Sequence, residues 1–276
     1  MVASHFLQTS SPFLRVGWDS SHRNLSMKSG TGRSFVGDRA RSPALLKHFR
    51  ADTRCKGLGD DLKNSFSDLW ARSAVDHPFL VAVRKGTIKD EQYNTWLLQD
   101  YLFVQTFTRF AGKVLAKAPD EEGMFLILRS LGVLPDELRW FRTTLESRGV
   151  PVDLSEEQPV LRRYREALER WGDELDWAEA VLVYYAVEHV YGTAWGTCAA
   201  GAPEPYRTWA MRWGSPEFAA FCDDLERAAA KALHYEGGAL PEGRRERAEE
   251  LFREVLELEE EFWSMAFYRD APQSAA

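Results

Sequence analysis

Residues 180–190 read A-V-L-V-Y-Y-A-V-E-H-V, and this stretch decides the fold. Apolar and aromatic side chains would cover every face of a helix here, so we predict a helix over about 176–199 that is buried on all sides. Glu188 and His189 in its middle should then be enclosed by protein. A histidine in such a place is more often a hydrogen-bonded core residue than a ligand, and we interpret His189 in that way.

Two further carboxylates occupy the apolar face of a predicted helix. Asp100 lies in W-L-L-Q-D-Y-L-F-V and Glu259 in V-L-E-L-E-E-E-F-W. Burying an ionised carboxylate is costly unless it is paired. For each residue an ion pair with an arginine of another helix is the alternative. For three at once, the simplest explanation is that Asp100, Glu188 and Glu259 converge on one polar, aromatic-lined pocket.

Composition and charge exclude several classes of protein. The chain has 276 residues, 45% of them hydrophobic, which is enough for one large domain or two small ones. The net charge of −7 argues against general nucleic-acid binding, and no apolar run approaches the roughly 18 residues of a membrane span.

Cysteine and histidine spacing argues against a metal site or a bound cofactor. The three cysteines, Cys55, Cys198 and Cys222, are far apart and form no C-x-x-C pair. This spacing fits a reducing compartment and predicts neither a disulfide framework nor a zinc site. None of the six histidines has Glu three positions before it, so a di-iron bundle is not indicated either.

The N-terminal segment differs from the rest in composition. Residues 1–56 hold ten Lys and Arg against three Asp, have no Glu and are rich in Ser. This composition is typical of an organelle transit peptide, and a disordered tail is the alternative. We predict a disordered extension over 1–56, one helical domain over 57–270 and a tail over 271–276. The expected location is the cytoplasm, or a plastid or mitochondrion if the extension is a targeting signal.

The remainder has helical periodicity and no alternating strand pattern. Pro78 should end the first helix, because the residue before a proline leaves the α region. Thr87 is the predicted N-cap of the second helix, with Glu91 in a capping box. The predicted helices cover about 58–75, 88–118, 120–148, 157–171, 176–199, 203–213, 216–235 and 241–268 in a single all-α domain.

Three blocks of sequence resemble the TenA/thiaminase-II family. The first is His77-Pro78-Phe79, then Gly86 and Gln99-Asp100-Tyr101, which is similar to H-P-F…G…Q-D-Y. The C-terminal block, Glu259-x-x-Phe262-Trp263-x-Met265-Ala266, is similar to E-x-x-F-W-x-M-A. Between them, Tyr206-x-x-Trp209 is followed by Gly214-Ser215-x-x-Phe218. The blocks occur in family order and span about residues 60–268.

This resemblance implies a haem-oxygenase-like helical bundle that hydrolyses aminopyrimidines derived from the pyrimidine half of thiamin. By family pattern, Asp100 would bind the pyrimidine amino group and Glu259 would be an acid/base residue. Aromatic residues would hold the ring; Tyr164 matches one of them, and Phe103 and Trp213 stand where the family has tyrosines. Tyr184 and Tyr191, one turn on either side of Glu188, complete the expected binding set.

The chain departs from the better-known branch of the family at one position. That branch has a nucleophilic cysteine in the helix that here reads Y-Y-A-V-E-H-V-Y, where Glu188 occupies the neighbourhood. This resembles the glutamate branch and argues against cleavage of thiamin itself. Glu188 and Glu259 are the expected catalytic pair, with Glu188 favoured for water activation and Glu259 for proton transfer.

Several alternatives and partners complete the expectation. The expected partner is a small aminopyrimidine substrate, with no cofactor, nucleic acid or membrane, and a homo-oligomer is expected. A pyrimidine carrier or regulatory protein with the same pocket is the main rival. Haem binding is disfavoured because residues 58–75 contain no histidine.

Overall fold

The computed structural model describes residues 57–153 and 157–268. The predicted extension over 1–56 and the tail over 271–276 lie outside the described residues. Within these ranges there is no β-strand, so the all-α prediction is confirmed. The helices are α1 (Leu58–Ser65), α2 (Ser67–Trp70), a π-helical segment (Ala71–Val75), α3 (Pro78–Lys85), α4 (Asp90–Lys117), α5 (Glu121–Ser147), α6 (Pro159–Glu174), α7 (Trp177–Gly201), α8 (Tyr206–Ala210), α9 (Pro216–Leu233) and α10 (Arg244–Tyr268).

Helix α7 lies at the centre of the bundle. It packs against α3, α4, α6, α8, α9 and α10 and against the π-helical segment. Every residue from Ala180 to Val187 is buried, as predicted from the apolar sequence. Helix α4 packs on α5, α6 and α10 and closes the core from the other side. None of the helices in the described ranges is long and apolar enough to cross a membrane.

The start of the domain differs from the prediction of one helix over 58–75. The chain breaks at Phe66, whose φ of −129° is not helical, and then continues as α2 and the π-helical segment. Residues 78–85, for which no helix was predicted, form α3. Pro78 occupies its first turn, where the missing N–H is harmless, and His77 Nδ1 accepts a hydrogen bond from the Phe79 N–H at 3.1 Å.

The cap of α4 also differs from the prediction. The helix begins at Asp90, and the Lys89 N–H donates to the Gln92 side chain at 3.0 Å. The Thr87 hydroxyl instead contacts the Ala82 carbonyl at 3.5 Å, so the predicted Thr87 cap is wrong. The other long helices begin and end within three residues of the predicted positions, whereas α8 spans only Tyr206–Ala210.

A pair of glycines fixes the segment after α8 against α7. A Cβ atom on Gly214 would lie 2.8 Å from the backbone N and Cα of Gly196 and from the Trp195 carbonyl oxygen. Backbone atoms cannot move aside as a flexible side chain can, so this close approach needs glycine. It holds Arg212 and Trp213, which precede Gly214, beside the middle of α7.

Candidate functional site

A cavity of about 430 Å³ lies between α4, α5, α7 and the segment that joins α8 to α9. This volume falls within the range usual for small-molecule sites, roughly 300–1,000 Å³. Each element contributes polar and aromatic side chains to the wall: Asp100 and Phe103 from α4, Glu137 and Trp140 from α5, Glu188 and Tyr191 from α7, and Arg212 and Trp213 from the segment after α8.

Asp100 is held in the cavity wall by a tyrosine. It is only 2% exposed, and the Tyr191 hydroxyl donates a hydrogen bond to its Oδ2. Burial raises the pKa of Asp100 well above its usual range, while the Tyr191 hydrogen bond acts in the opposite direction. The predicted binding residues Asp100 and Tyr191 thus lie together in the cavity wall, with Phe103 and Trp213 as its aromatic part.

Glu188 faces the same cavity from α7 and is half-buried. Burial raises its pKa well above the usual range for glutamate, and the nearby charges of Glu137 and Glu259 raise it further. A carboxyl group with a raised pKa that faces a cavity is a candidate for proton transfer near neutral pH. The arrangement therefore places two carboxyl groups with raised pKa values, Asp100 and Glu188, in one cavity.

Glu259 lies behind the wall, not in it. It is 3% exposed, and its Oε1 accepts a hydrogen bond from the Tyr164 hydroxyl at 2.7 Å. Burial raises the pKa of Glu259 to about 7, with the Tyr164 hydrogen bond opposing the rise. Phe103, which lines the cavity, packs on the Tyr164 ring at 4.7 Å between centroids, so Tyr164, expected to hold the substrate ring, also lies behind the wall. Of the three carboxylates expected in one cavity, Asp100 and Glu188 line it and Glu259 adjoins it.

Tyr184 also lies outside the cavity wall, contrary to the expectation that it would contact a ligand. Phe107, which lines the cavity, packs on the Tyr184 ring with 4.9 Å between centroids. The Tyr184 hydroxyl is 2.5 Å from the hydroxyl of Ser130, a wall residue. A tyrosine one turn before Glu188 is therefore covered by α4, and it supports the wall from behind.

The sequence prediction missed Glu137 and Arg212. Trp213 Nε1 donates a hydrogen bond of 2.8 Å to Glu137 Oε1, and burial raises the pKa of Glu137. The Arg212 guanidinium carbon lies 4.7 Å from the centre of the Trp140 ring. Glu137 follows Pro135-Asp136 and looks like a surface residue by sequence. The missed signal is helical spacing, because Glu137 lies three residues after the buried Leu134 and therefore on the same inward face.

Neither of the two described cysteines lines the cavity. Both are buried; Cys198 Sγ is 3.7 Å from the Leu80 carbonyl oxygen, and burial raises its pKa to about 12. Burial raises the pKa of Cys222 well above its usual range too. A thiol with a raised pKa is a poor nucleophile, because the thiolate is the reactive form. Across the described ranges, no group of three or more His, Cys, Asp or Glu residues is arranged to hold a metal ion.

Known proteins resemble this chain over almost the whole described region. A probable bifunctional TENA-E protein from Glycine max is 29% identical over 226 residues, which cover 76% of this chain and 97% of the soybean protein. The structure of a TenA homologue from Pyrococcus furiosus superimposes with a TM-score of 0.69 at 27% identity, covering 76% of this chain and 99% of that one.

A third relative supports the fold alone. The structure of a TenA family transcription regulator from a Silicibacter species has a TM-score of 0.69 at 21% identity, and the match covers 76% of this chain and 96% of the other. The bundle is therefore the haem-oxygenase-like fold that the sequence blocks implied. Residues 65–269 match the TENA/THI-4/PQQC family, so the chain belongs to that family.

Proposed function

We propose that this protein is an aminopyrimidine hydrolase of thiamin salvage. Its substrates would be the N-formyl-aminomethyl and aminomethyl pyrimidines left by thiamin breakdown, and its final product the hydroxymethyl pyrimidine. The observation that carries the proposal is the pairing of Asp100, bonded to Tyr191, with Glu188 across one cavity. The name TENA-E of the soybean relative agrees with a glutamate at the position of the family's nucleophile.

Asp100 would bind the amino group of the pyrimidine ring. A carboxyl group can accept a hydrogen bond from an exocyclic amine, and when protonated it can also donate one to a ring nitrogen. The aromatic side chains of Phe103, Tyr191 and Trp213 would enclose the flat ring and exclude water. The tyrosine bonded to Asp100 fixes the orientation of the carboxyl group before the ligand enters.

Glu188 would perform proton transfer in the amide step. Its carboxylate removes a proton from water, and the water oxygen bonds to the amide carbon. The carbon–nitrogen bond then breaks, the proton passes to the leaving amine, and formate departs. In the second step water replaces ammonia at the methylene carbon. The raised pKa makes the Glu188 carboxylate a stronger base than an ordinary glutamate.

Glu259 would exchange protons with this reaction from behind the wall. Its charge contributes to the raised pKa of Glu188, so the two carboxyl groups are electrostatically coupled. A pKa of about 7 lets Glu259 take up or release a proton near neutral pH. The hydrogen bond from Tyr164 holds it in place. We therefore assign water activation to Glu188 and proton exchange to Glu259.

Cleavage of intact thiamin is not part of the proposal. That reaction in the cysteine branch uses a thiolate, and no thiol is among the described residues that line the cavity. Cys198 is buried against α3, where it cannot reach a ligand in the cavity.

Turnover by the purified protein tests the proposal. The protein is incubated with the formyl-aminomethyl pyrimidine, the aminomethyl pyrimidine and thiamin, and products are measured by mass spectrometry. We expect formate and hydroxymethyl pyrimidine from the first substrate, ammonia from the second and no cleavage of thiamin. Glu188→Gln, which keeps size and shape, is the matched control for contaminating activity. Absence of turnover with both pyrimidines would reject the hydrolase.

A pyrimidine-binding regulator is the second candidate. One structure of the same fold is described as a transcription regulator, and the cavity would serve binding alone in such a protein. Calorimetric binding of the aminomethyl pyrimidine with no product would favour this candidate. The homo-oligomer and the cellular compartment stay predictions, to be checked by light scattering and by imaging of the full chain.

A further inference from the structure

Arg212 is the one basic side chain among the described residues that line the cavity. Three carboxyl groups share that wall: Asp100, Glu137 and Glu188. Negative charge that develops on a ligand in such a site meets like charges on most sides. Since like charges a few ångströms apart repel strongly in a poorly solvated site, a developing negative charge is stabilised best beside the positive charge of Arg212.

The Nε–H group of the Arg212 guanidinium is free to donate a hydrogen bond. Its Nε atom is buried and has no hydrogen-bond partner in the part of the chain that the structure describes. The guanidinium stacks on Trp140, with 4.7 Å from its carbon to the ring centre, and lies near Trp213 at 5.9 Å. A buried N–H without a partner is rare in proteins and destabilises the fold, so a ligand acceptor is a natural partner for it.

The position of Arg212 fits the geometry of the proposed substrate. Tyr191, which donates to Asp100, packs on the Trp213 ring with 5.3 Å between centroids, and the Arg212 guanidinium carbon lies 5.9 Å from the centre of the same ring. In these pyrimidines the ring amino group and the aminomethyl group are on adjacent ring carbons. A ring whose amino group contacts Asp100 therefore carries its scissile amide on the next ring carbon, and Arg212 is the cationic group of the cavity wall that could contact it.

Resting on the proposed function, we infer that Arg212 binds the carbonyl oxygen of the scissile amide and stabilises the oxyanion formed there. When water adds to the amide carbon, the carbonyl electron pair moves to oxygen, where Arg212 donates hydrogen bonds to it. The pair returns as the carbon–nitrogen bond breaks. The aminomethyl substrate has no carbonyl group and forms no oxyanion, so Arg212 is specific to the amide step.

The test compares two substrates in one variant. We expect Arg212→Gln to lower kcat for the formyl-aminomethyl pyrimidine by about a hundredfold, the usual effect of removing one oxyanion donor. The loss for the aminomethyl pyrimidine should be at least thirtyfold smaller. Arg212→Lys should recover part of the formyl activity, because it restores the charge without the fork of donors. Arg207→Gln is the matched control, because Arg207 is an exposed arginine of the neighbouring α8 that pairs with Glu204.

Each outcome has a defined meaning. Selective loss with the formyl substrate, with an unchanged circular dichroism spectrum, supports the inference. Equal losses with both substrates, or no loss with either, overturn it while leaving the hydrolase intact. If Arg212→Gln does not fold, the comparison is made with Arg212→Lys, which should still lose more formyl than amine activity. No turnover by the unmodified protein would overturn the proposed function and this inference together.

Discussion

Helix α7 carries two neighbouring titratable side chains, Glu188 and His189, that face different surroundings. Glu188 faces the cavity beside other carboxyl groups, and its pKa is raised. The next residue, His189, stacks on Trp70 and Tyr185, with ring centroids 5.1 Å and 5.0 Å away. Its buried Nε2 has no hydrogen-bond partner in the described part of the chain, so the hydrogen bond expected of a core histidine is missing at that atom. Burial lowers the pKa of His189 to about 4, so this ring stays neutral at physiological pH. We call these two sides of α7 the cavity side and the packed side.

The difference shows that burial alone does not identify a functional residue. Both side chains are removed from bulk water, and both have shifted pKa values. Glu188 faces the cavity, and the charges of Glu137 and Glu259 act on it. His189 instead stacks on two aromatic rings. A ligand can reach only the first. The comparison predicts that substitutions on the cavity side change turnover and those on the packed side change stability.

The largest difference in kcat is expected between substitutions of the neighbouring residues Glu188 and His189. Glu188→Gln removes proton transfer but keeps shape, so we expect kcat to fall about a hundredfold or more. His189→Phe keeps a ring against Trp70 and Tyr185, and kcat should stay within about threefold of the unmodified value. Steady-state assays of both variants provide the test. Comparable losses in the two would remove the distinction between the sides.

Glu259→Gln should separate activity from stability. In the folded protein Glu259 holds its proton up to about pH 7, against about 4.5 in an unfolded chain. The raised pKa therefore favours folding at low pH, and this contribution is lost as pH rises from about 4.5 to about 7. Glutamine cannot ionise, so the variant does not lose this contribution. The difference in unfolding free energy between the variant and the unmodified protein should therefore be roughly 3 kcal/mol more favourable to the variant at pH 8 than at pH 4.

Urea unfolding at the two pH values measures this change, and turnover of the same variant should fall. Tyr164→Phe is the companion variant, since it removes only the hydrogen bond that Glu259 accepts. A stability gain that is the same at pH 4 and pH 8 would show that ionisation of Glu259 is not its source.

Asp100→Asn should affect binding more than the chemical step. Loss of a charge-assisted hydrogen bond weakens an interaction by roughly 1.5–3 kcal/mol, which corresponds to about a tenfold or larger rise in KM. Tyr191→Phe, which leaves Asp100 without its hydrogen-bond donor, should weaken binding less. Calorimetry with the aminomethyl pyrimidine measures both. Unchanged affinity in Asp100→Asn would remove this residue from the binding site.

Glu137→Gln should move the pH profile. The charge of Glu137 raises the pKa of Glu188, so its removal lowers that pKa. The rate depends on the Glu188 carboxylate, and the acid limb of kcat/KM should therefore shift to lower pH. The Trp213 hydrogen bond can still be accepted by the glutamine oxygen. A shift toward higher pH would contradict the assignment of Glu188 as the base.

The smallest effect is expected at Cys198, near the C-terminal end of α7. Cys198→Ser, and treatment with a thiol-alkylating reagent, should leave turnover within about twofold, because the thiol is buried against α3. A selective loss of activity with the fold intact would revive a thiolate mechanism. Thermal unfolding should record the cost of placing a hydroxyl in this apolar position.

Periodicity was sufficient to predict most of the fold and two of the carboxylates of the cavity wall. The all-round apolar sequence of α7 predicted its central place, and the apolar faces around Asp100 and Glu188 predicted burial of both. Helix α3 was missed because Pro78 was interpreted only as the end of a helix, although a proline also fits the first turn of the next one.

The composition of the site could be predicted only in part. Glu137 and Arg212 come from α5 and the segment after α8, and only the tertiary fold brings them to Asp100. Helical spacing also cannot tell a cavity wall from the layer behind it. Glu259 and Tyr184 both lie on inward faces, yet neither lines the cavity. Phe103 and Phe107 form the wall, and Tyr164 and Tyr184 pack behind them.

The contact between Gly196 and Gly214 limits how this pocket can be redesigned. Any side chain at position 214 would collide with the backbone of α7 and displace the adjoining Arg212 and Trp213. An engineer who wants room for a bulkier ligand therefore has little freedom on that side. On the α5 side, Val133 and Leu134 line the cavity with their side chains, so shortening them would enlarge it. A library restricted to α5 should retain folded variants more often than one centred on 211–215.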